Sequence, residues 1–213
     1  HLMKKQILKG ILASLVTPDL GLEGTADGQP RVEKEIVTYG KIVDFDQLKK
    51  ADRKEEQDQW EIRVRHDSNV YGGCIRIRCL DGTKYILTTK TFKPEKGDLV
   101  ETEVELDKDV GAGMLEEFKK LSTGGMIKTR YFFDIPDSEL VWEVDVYYDE
   151  KKQPRTWCKI DLEVTDMRIK RPELPIDLKD AREIPPKNRS EDDQRFVDRL
   201  MEKEFITPSP YQL

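Results

Sequence analysis

A period of two dominates the order of apolar and polar positions along the chain. In CIRIRCLDGTKYILTTKTF, residues 74 to 92, Arg76 and Arg78 alternate with apolar side chains, a tight turn follows, and Lys84 and Lys90 share one face of the second arm. The same alternation, or enrichment in β-branched and aromatic residues, predicts strands over 31–43, 59–66, 73–80, 83–92, 99–106, 126–135, 140–148 and 156–164. Helical spacing is confined to short patches at 4–16, 45–57 and 112–122 and to residues 190–205. In the last of these Ser190 offers an N-cap, acids fill the first turn, and Phe196, Val197 and Leu200 recur at helical intervals. The pattern is that of a mainly β protein, an antiparallel sandwich or barrel decorated by helices. It divides into an N-terminal extension (1–30), a barrel region (31–165) and an irregular tail ending in a helix (166–213).

Successive side chains on a strand point to opposite faces, so the parity of the charges carries information. Glu33 and Glu35 share a face, as do Arg76 and Arg78, then Glu101, Glu103 and Glu105. Lys128 and Arg130, Glu143 and Asp145, and Lys159, Asp161 and Glu163 continue the series. A wet sheet face also alternates in this way, but it mixes both signs with Ser, Thr and Gln, whereas here one sign dominates most strands. If the sheet closes with the charges inward, they line one tunnel. A desolvated interior of that kind requires pairing, water or a ligand. A polyanion carrying divalent cations suits it, since bases take phosphate oxygens and carboxylates take the hard metal ion. The hairpin cations, which would otherwise repel across the strands, then have a partner.

Composition narrows the classes further. Charged residues make up 38% of the 213 positions and hydrophobic residues 37%, against about 25% and about 45–50% in ordinary globular chains. The net charge of −6 excludes a general nucleic-acid-coating role, which needs a basic footprint. Two histidines exclude a His-rich metal site, and three cysteines without a spacing pattern exclude a disulfide framework. No run reaches the roughly 18 apolar residues of a membrane-spanning helix. KKQILKGILASLV, interrupted by Lys9, reads as a packed amphipathic helix and not as an export signal. The expectation is a cytoplasmic protein with no membrane partner.

The ordered charge pairs resemble the triphosphate tunnel metalloenzymes, also called the CYTH superfamily, from about Arg31 to Glu163. The family's opening Glu-x-Glu-x-Lys strand is matched by Glu33 and Glu35, its Arg-x-Arg strand by Arg76 and Arg78, and the lysine of its Thr-x-Lys strand by Lys90. Glu103 and Glu105, Lys128 and Arg130, Glu143 and Asp145, and Asp161 and Glu163 match the pairs that follow. One position departs: Val37 stands where the family has its opening lysine, with Lys41 on the same face about 13 Å further along.

The resemblance implies an eight-stranded closed antiparallel barrel, flanked by helices, around a charged tunnel. It implies a triphosphatase dependent on Mg²⁺ or Mn²⁺. Arg76, Arg78, Lys90, Lys128 and Arg130 would then take the phosphates, and Glu33, Glu35, Asp145, Asp161 and Glu163 the metal. Glu33, Glu35, Lys90 and Arg130 would be the catalytic set. The implied partner is a triphosphate-containing small molecule, with an RNA 5′ end as a second candidate, and the chain would act as a monomer or homodimer. Two alternatives share the same tunnel: a class IV-like adenylate cyclase making cyclic AMP from ATP, and a barrel that binds a polyphosphate or nucleotide without turnover.

Overall fold

The computed structural model describes residues 31–32, 34–65, 71–93, 98–164, 167–185 and 189–211. The expected helix at 4–16 and the candidate ligand Glu33 lie outside them. Eleven strands form one antiparallel sheet: β1 (Arg31–Val32), β2 (Glu35–Ile42), β3 (Arg53–Arg65), β4 (Tyr71–Leu80), β5 (Lys84–Lys93), β6 (Asp98–Leu106), β7 (Gly124–Asp134), β8 (Val141–Tyr148), β9 (Pro154–Glu163), β10 (Leu178–Glu183) and β11 (Thr207–Pro208). Two α-helices accompany it, α1 (Lys108–Leu121) and α2 (Glu191–Leu200). Among the described residues, no helix is long and apolar enough to cross a membrane.

The sheet runs β1-β6-β5-β4-β3-β7-β8-β9-β2-β10, with β11 on β7. It is therefore not the closed eight-stranded barrel expected from the sequence: ten strands lie on an open path. The reason lies in the opening strand. β2 gives one edge to β9 and the other to β10, with Leu178 opposite Ile42 and Glu183 opposite Thr38. Among the described residues, the edge of β6 away from β5 is met by the two-residue β1 alone. Among the described residues no ladder joins β2 to β6, because the segment returning after β9 has taken that edge.

The outer faces of the strands are apolar and form two cores. Ile75, Ile77, Tyr85 and Leu87 pack with Trp60, Leu115 and Phe118 beneath α1. That helix starts at Asp107, whose carboxylate accepts from the Asp109 N–H at 2.9 Å, and it buries Gly111, Leu115 and Phe118 at helical spacing. Gly111 lets the backbone of α1 lie on Tyr85, since a Cβ there would sit 2.3 Å from the Tyr85 Cβ. The second core joins Trp142, Val144, Val146, Cys158, Ile160 and Leu162 with Leu48 and Ile176. The three-residue β4–β5 turn, 81–83, places Asp81 and Gly82 at φ 48° and 69°, and the Thr83 N–H donates to the Leu80 carbonyl at 3.0 Å.

One further expectation is corrected. The helix expected over 45–57 is a 3₁₀ helix at Phe45–Lys50 only. Its apolar spacing ends at Leu48, Ala51 is extended, and the polar residues after Asp52 pair with β7 from Arg53 and also with β4 from Gln57. At the tail, α2 (capped by Ser190 onto the Asp193 N–H) leads into a π turn, Met201–Phe205. This tail covers one end of the sheet's inner face, where Val37, Tyr39 and Tyr147 pack with Ile184, Val197, Leu200 and Phe205. The Phe205 ring stacks on Tyr147 at 4.0 Å between centroids.

Candidate functional site: a charged trough

The rest of the inner face is polar, because every strand that turns an apolar residue outward turns its next residue inward. A trough of about 880 Å³ results, within the size range of small-molecule sites, lined by eight Lys or Arg and nine Asp or Glu side chains. Near balance of charge means that a bare polyanion meets no net positive wall, so an anion seated here is favoured when it brings a cation. β3 is the floor. β4, β5 and β6 rise on one side, and β7, β8, β9 and β2 on the other.

On the first wall Glu101 bridges Arg76, at 2.8 Å, and Lys90, at 2.9 Å. Glu103 accepts from Arg78 and, at 2.9 Å, from the Thr88 hydroxyl, with Arg76 at 3.5 Å. Lys84 reaches Glu105 at 3.1 Å. Burial, and then the neighbouring Arg76 charge, lower the Arg78 guanidinium to about 10. Burial alone would raise the Glu103 carboxyl, but Arg78, Thr88 and Arg76 outweigh it and hold it below its ordinary value. The Nε atoms of Arg76 and Arg78 are buried without a hydrogen-bond acceptor.

On the second wall Arg130 and Lys128 both hold Asp145, and Arg130 also pairs with Glu143. Burial would raise the Asp145 carboxyl; Arg130 and Lys128 override that and keep it ionised far below the usual range. Burial acts harder on Lys128, whose ammonium falls to about 7 despite Asp145, so the Arg130 pair is the persistent one. Next to it Lys159 lies 2.7 Å from Asp161 and 3.9 Å from Glu35. Burial raises the carboxyls of Glu143 and Asp161.

The predicted phosphate contacts are thus divided. Arg76, Arg78, Lys90 and Arg130 line the trough, while Lys128, on the same face of β7 as Arg130 and opposite Gln57, is buried against Asp145. Of the predicted metal ligands, Glu35 and Glu163 face each other across the β2–β9 ladder and line the trough with Asp161. Asp145 is committed to cations. One oxygen of Asp161, Oδ1, is buried with no partner. Glu35, Asp161 and Glu163 are hard oxygen donors that fit Mg²⁺ or Mn²⁺ in chemistry, although among the described residues no three acidic, His or Cys side chains converge on one point. Val37, 1% exposed, lies under the tail, and Lys41 points out to Asp180 at 2.8 Å, so neither supplies the family's opening lysine.

Sequence reading missed the floor. Arg53, Glu55, Gln57 and Gln59 line the trough from the part of β3 that carries polar residues on both faces and therefore no hydrophobic period. The available signal was the parity of Glu55, Gln57 and Gln59 with Glu61, on the face opposite Trp60.

No protein-family model and no curated protein sequence matches the chain. Solved structures similar to it include the three that follow. The inorganic triphosphatase NE1496 is 17% identical, with 63% of this chain and 75% of that one covered, at a TM-score of 0.37. The PH1819 protein of Pyrococcus horikoshii is 20% identical over 63% and 80%, at 0.38. An adenylate cyclase candidate from Bacillus halodurans is 15% identical over 64% and 82%, at 0.42. None reaches a TM-score of 0.5, and none assigns a role to any residue. On its ordered same-sign pairs and the mainly β antiparallel sheet that carries them, the chain resembles the triphosphate tunnel metalloenzymes.

Proposed function

We propose that the trough binds a triphosphate group together with a divalent cation and hydrolyses it, releasing phosphate. One observation carries the reading: two arginines on one strand face, Arg76 and Arg78, each bury an Nε–H that has no acceptor among the described residues. A buried donor left unmade costs about 1–3 kcal/mol, and a phosphate oxygen is the acceptor that a guanidinium edge matches best. These donors bind without breaking an existing ion pair. Lys90 and Arg130, on the two walls, then take oxygens further along the chain of phosphates. Glu101, Glu103 and Glu143 hold the basic groups in place through the pairs already described.

Glu35, Asp161 and Glu163 would hold the cation, with Glu33, outside the described residues, as a further candidate from the sequence. When bound, that ion would neutralise phosphate charge and lower the pKa of an attacking water. Phosphoryl transfer asks of the protein mainly position and charge compensation, which the two walls supply.

The test is phosphate release from tripolyphosphate, thiamine triphosphate and ATP with Mg²⁺ or Mn²⁺, alongside cyclic AMP from ATP. Metal-dependent phosphate release is expected; cyclic AMP without phosphate release would assign the cyclase reaction instead. The burial of Val37 beneath the tail favours a second reading, a barrel-like binder without turnover. That reading predicts affinity for the same compounds with no product.

A further inference from the structure

The geometry points to Gln57 as the residue that seats the attacking water, an inference that rests on the hydrolytic reading above. Gln57 is 2% exposed and lines the trough from β3. Its Nε2 donates to Glu55 Oε1 at 2.6 Å, which fixes the orientation of the amide, since the reverse would set its oxygen against the carboxylate. Its Oε1 is consequently the end left over, and that oxygen is buried with no donor among the described residues. It stands mid-floor: Gln59, next on the same face, is opposite Arg78, and Glu55, the previous one, is opposite Arg130.

An amide oxygen cannot face a phosphate oxygen, because both only accept. In a site that gathers phosphate between Arg78 and Arg130, an acceptor on the floor calls for a donor, and water is the donor that hydrolysis requires. A water hydrogen-bonded to that oxygen would sit on the trough floor, beneath the phosphoryl group held between Arg78 and Arg130. The water oxygen bonds to the terminal phosphorus of tripolyphosphate, and the bridging P–O bond breaks with its electron pair left on pyrophosphate. Both hydrogens of the water leave on orthophosphate, which balances atoms and charge. Gln57 holds the water by a hydrogen bond and takes no proton.

Gln57→Met separates this role from a structural one. It removes the unmet acceptor at similar volume, so the ligand-free variant is expected to melt at or above wild type. It should keep the wild-type thermal shift with Ca²⁺ and tripolyphosphate, and lose kcat about 100-fold on the Mg²⁺ complex with KM unchanged. If it does not fold, Gln57→Asn, which withdraws the oxygen by one methylene, should show the same kcat loss. Unchanged kcat, a lower melting temperature with turnover intact, or loss of the thermal shift would each overturn the assignment. A wild type that binds tripolyphosphate without hydrolysing it overturns the role of Gln57 and leaves the binding reading standing. A wild type that does neither overturns both.

Discussion

Arg130 grips Asp145 along one edge of its guanidinium, Nε on Oδ1 at 2.8 Å and Nη2 on Oδ2 at 2.9 Å. The carboxylate is 1% exposed and also carries Lys128, so it serves as the anchor of the second wall. Removing one partner of a buried pair leaves the other uncompensated, at a cost of about 3–5 kcal/mol. Asp145→Asn should lose stability of that size in urea denaturation without metal present. A metal ligand with no structural duty would instead show little change until metal is added.

The tail that covers the inner face is held by aromatic stacking. Phe205 is buried against Tyr147 and Tyr39, and truncating a buried Phe costs about 3–5 kcal/mol. Phe205→Ala should destabilise the protein by that order. Proteolysis of residues 190–211 should also become faster, because the apolar end of the trough loses its cover. An unchanged cleavage rate would show that the tail is held by other contacts.

Val37 explains its own departure from the family pattern. The position faces inward but lies in the apolar cluster with Val197, Leu200 and Phe205, where a longer side chain would overpack the seat of the tail. Val37→Lys should therefore lower the melting temperature and leave phosphate release no faster. A gain in turnover would mean that the tail lifts away and the lysine reaches the substrate.

Glu103 sets a pH dependence. Its folded pKa lies below the ordinary value of 4.5, so it binds its proton less readily folded than unfolded. The stabilisation is complete above about pH 4.5 and is lost as pH falls through the folded pKa. Denaturation at pH 7 and at pH 3.5 should show a smaller acid loss in Glu103→Gln than in wild type. An equal loss in both would place the acid sensitivity elsewhere.

Much of this arrangement is legible in the sequence, wherever a strand has one apolar face. Ile75, Ile77, Arg76 and Arg78 announce both the strand and its parity, and the eight strands expected from such patterns are present. Residues 53–58 are polar on both faces, so neither the first half of β3 nor the Gln57 floor shows in any periodicity. Closure was illegible for another reason: which strand takes the free edge of β2 depends on where residues 178–183 return, and their short charged run carries no pairing signal. The tail helix was legible as a helix, whereas its seat on Val37 and Tyr147 is a matter of tertiary packing.

Thermal melting at low salt, with Ca²⁺ and tripolyphosphate, tests the central claim most directly. Ligand at one hundred times Kd should stabilise the fold by about 2.7 kcal/mol, and the gain should shrink as salt screens the charges. It should largely vanish in Arg78→Gln with Lys90→Gln, a pair chosen because Arg76 still compensates Glu101 and Glu103. No shift in the wild type with tripolyphosphate or any other triphosphate, or an equal shift in the double variant, would contradict the assignment of the trough to a phosphate chain.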